Sequence, residues 1–438
     1  MSAIAQMHNF NPPRAREREI PIGARTLIFS FWFVFVVREG FAVIGTWLGL
    51  SPSQATAISG GVAALFLAAT ILLAIVSRRS MSLRMLFGSI TPLKWIVLFL
   101  ASSALSLVWT HADSRAVAFG YYCLLLAMVA TVVLQVKGCA PGILLNTATA
   151  GIVVGSLALV IIAMFADTGS GRLGDPDLLH PNTVGKITAI ASLVAFHRFR
   201  LTNSAGSKLF WSLAGMGLMC TLAATVSKTS LGAFAIACLV YFLAGKHTMR
   251  AKVASSFLVL IFAIGTYYLL SPQLDSYSRQ QHGTALETLS GRIPLWQDTW
   301  EMIQERPLAG YGFLSYRDYG PQLFNVRVVH AHNELLHIWF SLGLVGIVFA
   351  AAIYFSYLRS TWKIMRSPPA PRHGALALAL LAMALVRGIT EADLTGLVFS
   401  LPLLFLMIAP AGLLTSGNRT IALQVARPEW NRAQTARI

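Results

Sequence analysis

The side chains best suited to chemistry in this chain fall in four short stretches. His330-Ala331-His332-Asn333-Glu334 sets two imidazoles beside an amide and a carboxylate. Histidine exchanges a proton near neutral pH, so His330 or His332 can act as a base or donate to an anionic oxygen. Arg172 lies in Gly-Arg-Leu-Gly, ahead of His180-Pro181-Asn182 and Lys186. Lys228 stands in Ser227-Lys228-Thr229-Ser230, and Arg292 in Ser290-Gly291-Arg292. A guanidinium presents a planar fork of donors and keeps its charge, which suits phosphate. Lys228 offers a point charge where an expected helix start adds its free amides. Each residue singly also has an ordinary reading, as a solvated or headgroup-bound cation or as a histidine closing a helix end on backbone. A metal is the weaker reading. His330 and His332, two apart, diverge on a helix, and no acidic cluster is expected beside them.

The elements that must position these residues follow from composition. The chain is 56% hydrophobic and 12% charged, with mean hydropathy +0.66, whereas soluble domains are about a quarter charged. The bilayer is therefore its main solvent. A helix satisfies its own backbone there and needs about 20 apolar residues to cross. That ruler predicts an all-α integral membrane protein of about twelve spans, near 26–49, 57–77, 93–110, 116–136, 142–166, 183–198, 208–226, 229–245, 252–270, 334–358, 374–390 and 395–415. With the N-terminus inside, every predicted inner segment holds Lys or Arg, as the positive-inside rule requires. The predicted organisation is an inner tail 1–25, one membrane domain 26–415 and an inner tail 416–438, with no cleaved signal peptide. Two outer loops stand out, 167–182 and 271–332. Long loops without structure of their own usually have a function. The second loop contains an amphipathic pattern, Ile293, Trp296, Trp300 and Ile303, opened by Ser290 and closed by Pro307, that predicts a helix lying along the membrane boundary.

Other classes are excluded or set aside. The net charge of +17 is spread in short clusters between apolar runs, so no basic face offers itself to nucleic acid. Cys123, Cys139, Cys220 and Cys238 read as small core residues. Arg38 with Glu39, and Arg387 with Glu391, read as structural charge pairs. Arg172, Lys186, Lys228 and Arg292 run against the positive-inside bias, and their concentration on one side points to an anion bound at the outer face.

His332-Asn333, then Gly343 and Gly346, in HNELLHIWFSLGLVG, resembles the signature of the O-antigen ligase and polysaccharide polymerase superfamily. GRLGDPDLLHPN (171–182), SKTSLGA (227–233) and SGRIPLWQDTWEMIQERPLAGYGF (290–313) agree in order, so the resemblance covers about residues 140–360. It implies a GT-C-like, metal-independent glycosyltransferase of the bacterial inner membrane without cofactor. Its donor would be a glycan on undecaprenyl pyrophosphate, and its acceptor a glycan or lipid A-core hydroxyl at the periplasmic face. Carried over residue by residue, His332 and Arg292 are catalytic. Arg172, Lys228, Arg292, His180, Asn333 and His330 bind pyrophosphate, with Lys228 where relatives can have arginine. The form of the Gly-Arg and Ser-Gly-Arg blocks places a polymerase of the exopolysaccharide type ahead of an O-antigen ligase. A lipid-linked oligosaccharide flippase or transporter is the alternative of another class. The gathering of candidate residues at one face favours the enzyme over that alternative.

Overall fold

The structure, a computed structural model, describes residues 22–76, 91–138, 141–166, 172–175, 177–245, 248–250, 292–323, 326–366 and 371–392, with isolated positions between 252 and 268. The predicted span 395–415, most of 252–270, most of both tails, Cys139 and Ser290 lie outside the described residues. The described chain is helical apart from a two-stranded antiparallel ladder, Gln322–Leu323 (β1) with Val326–Arg327 (β2). Five segments are long and apolar enough to cross a membrane: Arg25–Trp47, Arg115–Gln135, Ile143–Met164, Ala205–Ala224 and Glu334–Lys363. Pro92–Ser106, Lys228–Ala244 and His373–Gly388 form shorter apolar helices. This is the all-helical membrane architecture that the composition demands.

The first predicted span is two helices, α1 (Ile22–Val37) and α2 (Phe41–Trp47), joined by a 3-10 turn at Arg38–Gly40. Adjacent charges cause the interruption, and Arg38 Nη2 meets Glu39 Oε1 at 2.9 Å, the pairing the sequence predicts. Helices α3 (Pro52–Val76), α4 (Thr91–Ser106), α5 (Arg115–Gly138) and α6 (Pro141–Met164) follow. Helix α6 lies along α1 because Gly151 and Gly155 leave no side chain between them, and a Cβ at Gly151 would stand 2.6 Å from Phe29 O. Small residues four apart are the usual device for close helix approach in a bilayer. Cys123 and Cys220 are exposed, not core as predicted, because they sit on the outward faces of α5 and of α8 (Ala205–Ala224).

The bundle that carries the polar residues is formed by α7 (Pro181–Leu201), α9 (Lys228–Ala244) and α13 (Pro371–Gly388). Pro181 opens α7, where its missing N–H costs nothing, and His180 Nδ1 accepts the Asn182 amide at 3.1 Å. The predicted amphipathic helix is α10 (Arg292–Glu305). Its buried residues are Leu295, Thr299 and Ile303, of which Ile303 belongs to the predicted apolar stripe. Thr299 Oγ1 and Tyr316 Oη, 2.8 Å apart, draw that face inward, while Trp300 stays exposed and packs edge-on against Trp339. The short helix α11 (Ser315–Tyr319) follows.

The longest helix, α12 (Glu334–Arg366), breaks at Gly343, whose φ of +63° only glycine adopts readily. The break frees three backbone groups, and residues 307–312 take all of them. Leu344 N donates to Pro307 O at 2.9 Å, Tyr311 N to Phe340 O at 2.8 Å, and Gly312 N to Ser341 O at 2.8 Å. A Cβ at Gly343 would stand 2.1 Å from Leu308 O. The glycine of the His-Asn signature is thus the seat of the RPLAGYG stretch. A small apolar cluster of Ile303, Tyr311, Tyr316, Ala331 and Phe340 packs beneath this seam and anchors the loop that carries His332.

Candidate active site

The residues singled out in the sequence come from separate elements, and one segment gathers them: Ile389-Thr390-Glu391, just past α13. Ile389 O accepts from Asn333 Nδ2 at 3.1 Å, at the start of α12. Thr390 Oγ1 meets Thr229 Oγ1 at 2.9 Å, in the first turn of α9. Glu391 Oε1 accepts from Arg292 Nη2 at 3.0 Å and from Asn182 Nδ2 at 3.1 Å. Glu391 Oε2 lies 3.5 Å from His332 Nδ1. The N-termini of α7, α9 and α12 therefore converge on one place, and free amides and helix dipoles there favour negative charge.

Arg172 is held on two sides. Its Nε donates to Thr225 O at 2.9 Å, where α8 ends and carbonyls are in surplus, and its Nη2 donates to Asn182 Oδ1 at 3.0 Å. Arg172 and Arg292 thereby reach the same carboxylate, one through Asn182 and one directly. Lys228 is exposed at the first position of α9, beside the linked Thr229. Lys186 is buried one turn beyond Asn182. Arg387 Nη1 donates to Ser230 Oγ at 2.6 Å.

Two backbone conformations bear on the site. His332 has φ +48° and Val226, just ahead of α9, has φ +50°. The left-handed region costs an L-residue about 1–2 kcal/mol, and a β-branched residue rarely enters it. At His332 the turn brings the rings of His330 and His332 to 4.1 Å, and His330 Nδ1 accepts the His332 amide at 3.2 Å. The two imidazoles therefore converge, contrary to the sequence expectation that they diverge, because they occupy a loop and not a helix. His332 Nδ1 is buried and, at 3.5 Å from the carboxylate, is in ion-pair range without an aligned hydrogen bond.

The electrostatics follow from this crowding. Burial pushes the Glu391 carboxyl up, but the neighbouring His332 imidazole, Arg387 and His330 outweigh it and hold the group well below the usual carboxylate range. Glu391 is an anion set among cations. His180 remains solvent-accessible, yet crowding around its ring and the Arg172 guanidinium lower its pKa, against the pull of Glu391.

Glu391 is the candidate site residue that sequence reading passed over, assigning it to a structural pair with Arg387. The available signal was an acid at the end of a span on the side where cations collect. His330, His332 and Glu391 also place one ligand atom each within 4.8 Å of one another, a donor set the sequence did not anticipate. Its chemistry is poor for a cation: Arg292 already occupies the carboxylate, and His330 Nδ1 already accepts a backbone amide. Asp175-Pro176-Asp177 has the spacing of a paired-carboxylate site, but Asp175 Oδ1 accepts the amides of Asp177 and Leu178 at 2.8 and 2.7 Å and closes its own turn.

An all-helical, multi-pass membrane protein with a cation-rich site at the ends of its helices is the class these features define. Residues 211–351 match a family model described as O-antigen ligase. An O-antigen ligase of Salmonella typhimurium is 32% identical over 104 residues, covering 20% of this chain and 25% of that protein. An O-antigen ligase of Pseudomonas aeruginosa is 28% identical over 229 residues, covering 52% of this chain and 51% of that protein. The chain spans about half the length of these relatives or less. In these stretches the chain is similar to the O-antigen ligase superfamily.

Proposed function

We propose that this protein transfers a glycan from an undecaprenyl-pyrophosphate carrier to an acceptor hydroxyl at the periplasmic face of the bacterial inner membrane. The convergence of Arg172, Arg292 and His332 on Asn182 and Glu391 carries the reading. Three arginines outnumber the one carboxylate they act on, Arg292 directly, Arg172 through Asn182 and Arg387 by its charge, which suits a diphosphate.

The step follows from the charges. A sugar–diphosphate bond is already activated, so catalysis consists of neutralising charge on the departing diphosphate and positioning the acceptor. The bond from the anomeric carbon to diphosphate oxygen breaks and its electron pair leaves with the lipid diphosphate, which Arg292, Arg172 and Lys228 hold. The acceptor oxygen forms the new bond, and its proton passes to His332. With Nδ1 facing Glu391, Nε2 is the nitrogen that receives it, and the carboxylate orients the ring and stabilises the imidazolium. Direct displacement predicts inversion at the anomeric carbon.

The sequence blocks place polymerase ahead of ligase. The names of both relatives favour the reverse, so we assign lipid A-core as the acceptor. Deleting the protein and examining surface glycans tests this. Lipopolysaccharide lacking O-antigen, with lipid-linked polymer accumulating, is expected; loss of long exopolysaccharide with normal lipopolysaccharide contradicts it.

A further inference from the structure

Arg387 stands near the end of α13, four residues before Glu391, and is 2% exposed. Its Nη1 donates to Ser230 Oγ at 2.6 Å, and Ser227 Oγ donates to the same oxygen at 3.0 Å. Both hydroxyls are buried at the head of α9. Helix α7 closes over this anchor at Gly185, where a Cβ would stand 2.9 Å from Ser227 Cβ and 3.1 Å from Ser230 Oγ. The backbone continues the hold. Arg387 O accepts from Thr390 N at 2.9 Å and from Glu391 N at 2.8 Å, so one further turn leads from the buried guanidinium to the carboxylate. Residues four apart across such a turn share a face. Gly388, next in the chain, lets α12 approach: a Cβ there would stand 3.2 Å from Glu334 Cβ, two residues past His332.

We infer that Arg387 is a positioning residue for transfer: braced on Ser230, it fixes the place of Glu391 and balances its charge, and Glu391 in turn holds the His332 ring. The inference rests on the transfer activity proposed above and on His332 as its base. At 2% exposure Arg387 is shut away from substrate, so its influence on the reaction runs through Glu391. Fastening the helices does not require it, since the Thr390 and Thr229 hydroxyls, 2.9 Å apart, already tie the same two elements. A buried ion pair also adds little stability over apolar packing. What the guanidinium supplies is a fixed charge. Burial works against an ionised Glu391, and the His332 imidazole, then Arg387, outweigh it. The other charged groups about Glu391 are His330 on the loop before α12, Arg292 on α10, and His180 and Arg172 near Asn182 at the head of α7, with Lys228 exposed beside Thr229 on α9. Glu391 and His332 form a coupled pair, and taking a cation from beside such a pair raises its affinity for protons.

The test measures transfer by the full-length protein in lipid, with an undecaprenyl-pyrophosphate-linked glycan as donor and lipid A-core lacking O-antigen as acceptor. Arg387→Gln removes the charge, Arg387→Lys keeps it, and Ser230→Ala keeps it but loosens the anchor. In Arg387→Gln, kcat per folded protein is expected to fall about tenfold, with donor KM changed less than about threefold. The acid limb of its kcat profile should move about one unit to higher pH. Arg387→Lys should recover most of kcat and return the limb to its wild-type position. Ser230→Ala should lower kcat about threefold and leave the limb where it was. If Arg387→Gln loses its folded state in a thermal melt, Arg387→Lys and Ser230→Ala decide. Wild-type kcat and pH profile in folded Arg387→Gln, a loss confined to donor KM, a lysine variant no better than glutamine, or an unchanged kcat in Ser230→Ala overturns the inference. A wild-type protein that transfers no glycan defeats the proposed function itself. Transfer by the wild type with indifferent Arg387 and Ser230 variants defeats the positioning role alone.

Discussion

Helices α7, α9 and α13 end in polar clusters on both sides, and the two clusters are built differently. At one end His197 Nε2 meets His373 Nδ1 at 3.1 Å and His197 Nδ1 meets Tyr241 Oη at 2.9 Å, with one residue from each helix. At the other end Asn182, Thr229 and the segment after α13 gather several cations around one carboxylate. The histidine network ties one side chain from each helix to the next, with ring and hydroxyl groups as the partners. The cationic end has a surplus of charge, a left-handed histidine and a buried ring nitrogen without an aligned partner. Polar groups that only fasten helices complete their own bonds, whereas those that await a ligand leave charge and donors over.

That contrast is open to test by substitution. Replacing Arg292 with Ala removes the guanidinium bonded to Glu391, and kcat is expected to fall about 10²–10³-fold, the cost of losing one preorganised charge stabiliser. His332→Ala should lower kcat about 10²-fold or more in the purified protein, the usual share of a general base, while donor binding persists. Transfer kinetics check both, and full activity in either removes its assigned role. At the opposite end, His373→Gln should leave kcat and both KM values unchanged and lower the melting temperature by a few degrees, since about 1 kcal/mol is the worth of one such hydrogen bond. A loss of transfer there would erase the distinction between the two ends.

The ionisation of Glu391 sharpens the same comparison. Its folded pKa is depressed, so its contribution to stability is fully present above the ordinary carboxylate value of 4.5 and is lost as pH falls through the lowered folded value. The stability gap between wild type and Glu391→Gln should therefore be present at about pH 5 and shrink in stronger acid, as read by denaturation at several pH values below about 5. The smallest effect concerns metal. Because Arg292 and the His332 amide already occupy the donors of Glu391 and His330, chelation with EDTA is expected to leave transfer unchanged, and loss of activity restored by a divalent cation would refute that.

Much of this arrangement is legible in the sequence, for physical reasons. Apolar runs long enough for a bilayer identify the helices, and cations placed against the positive-inside bias identify Arg172, Lys228 and Arg292. What composition cannot express is convergence. Glu391 follows a span far along the chain from Arg292, and only the packing of α13 against α9 brings it to the site. Periodicity identified α10, whereas the inward turn of Thr299, made by its contact with Tyr316, is unseen in a hydropathy pattern. The helix rule separated His330 from His332, since a left-handed residue that turns a loop has no signature in the sequence. The break at Gly343 is likewise silent until the RPLAGYG backbone is seen to fill it.

The most direct measurement is binding of undecaprenyl diphosphate to the protein in lipid nanodiscs, comparing wild type with the Arg172→Gln, Arg292→Gln double variant. Each charged hydrogen-bonding group is worth about 1.5–3 kcal/mol, so the double variant should bind roughly a hundredfold more weakly or worse. Equal affinity of the two proteins would contradict the account.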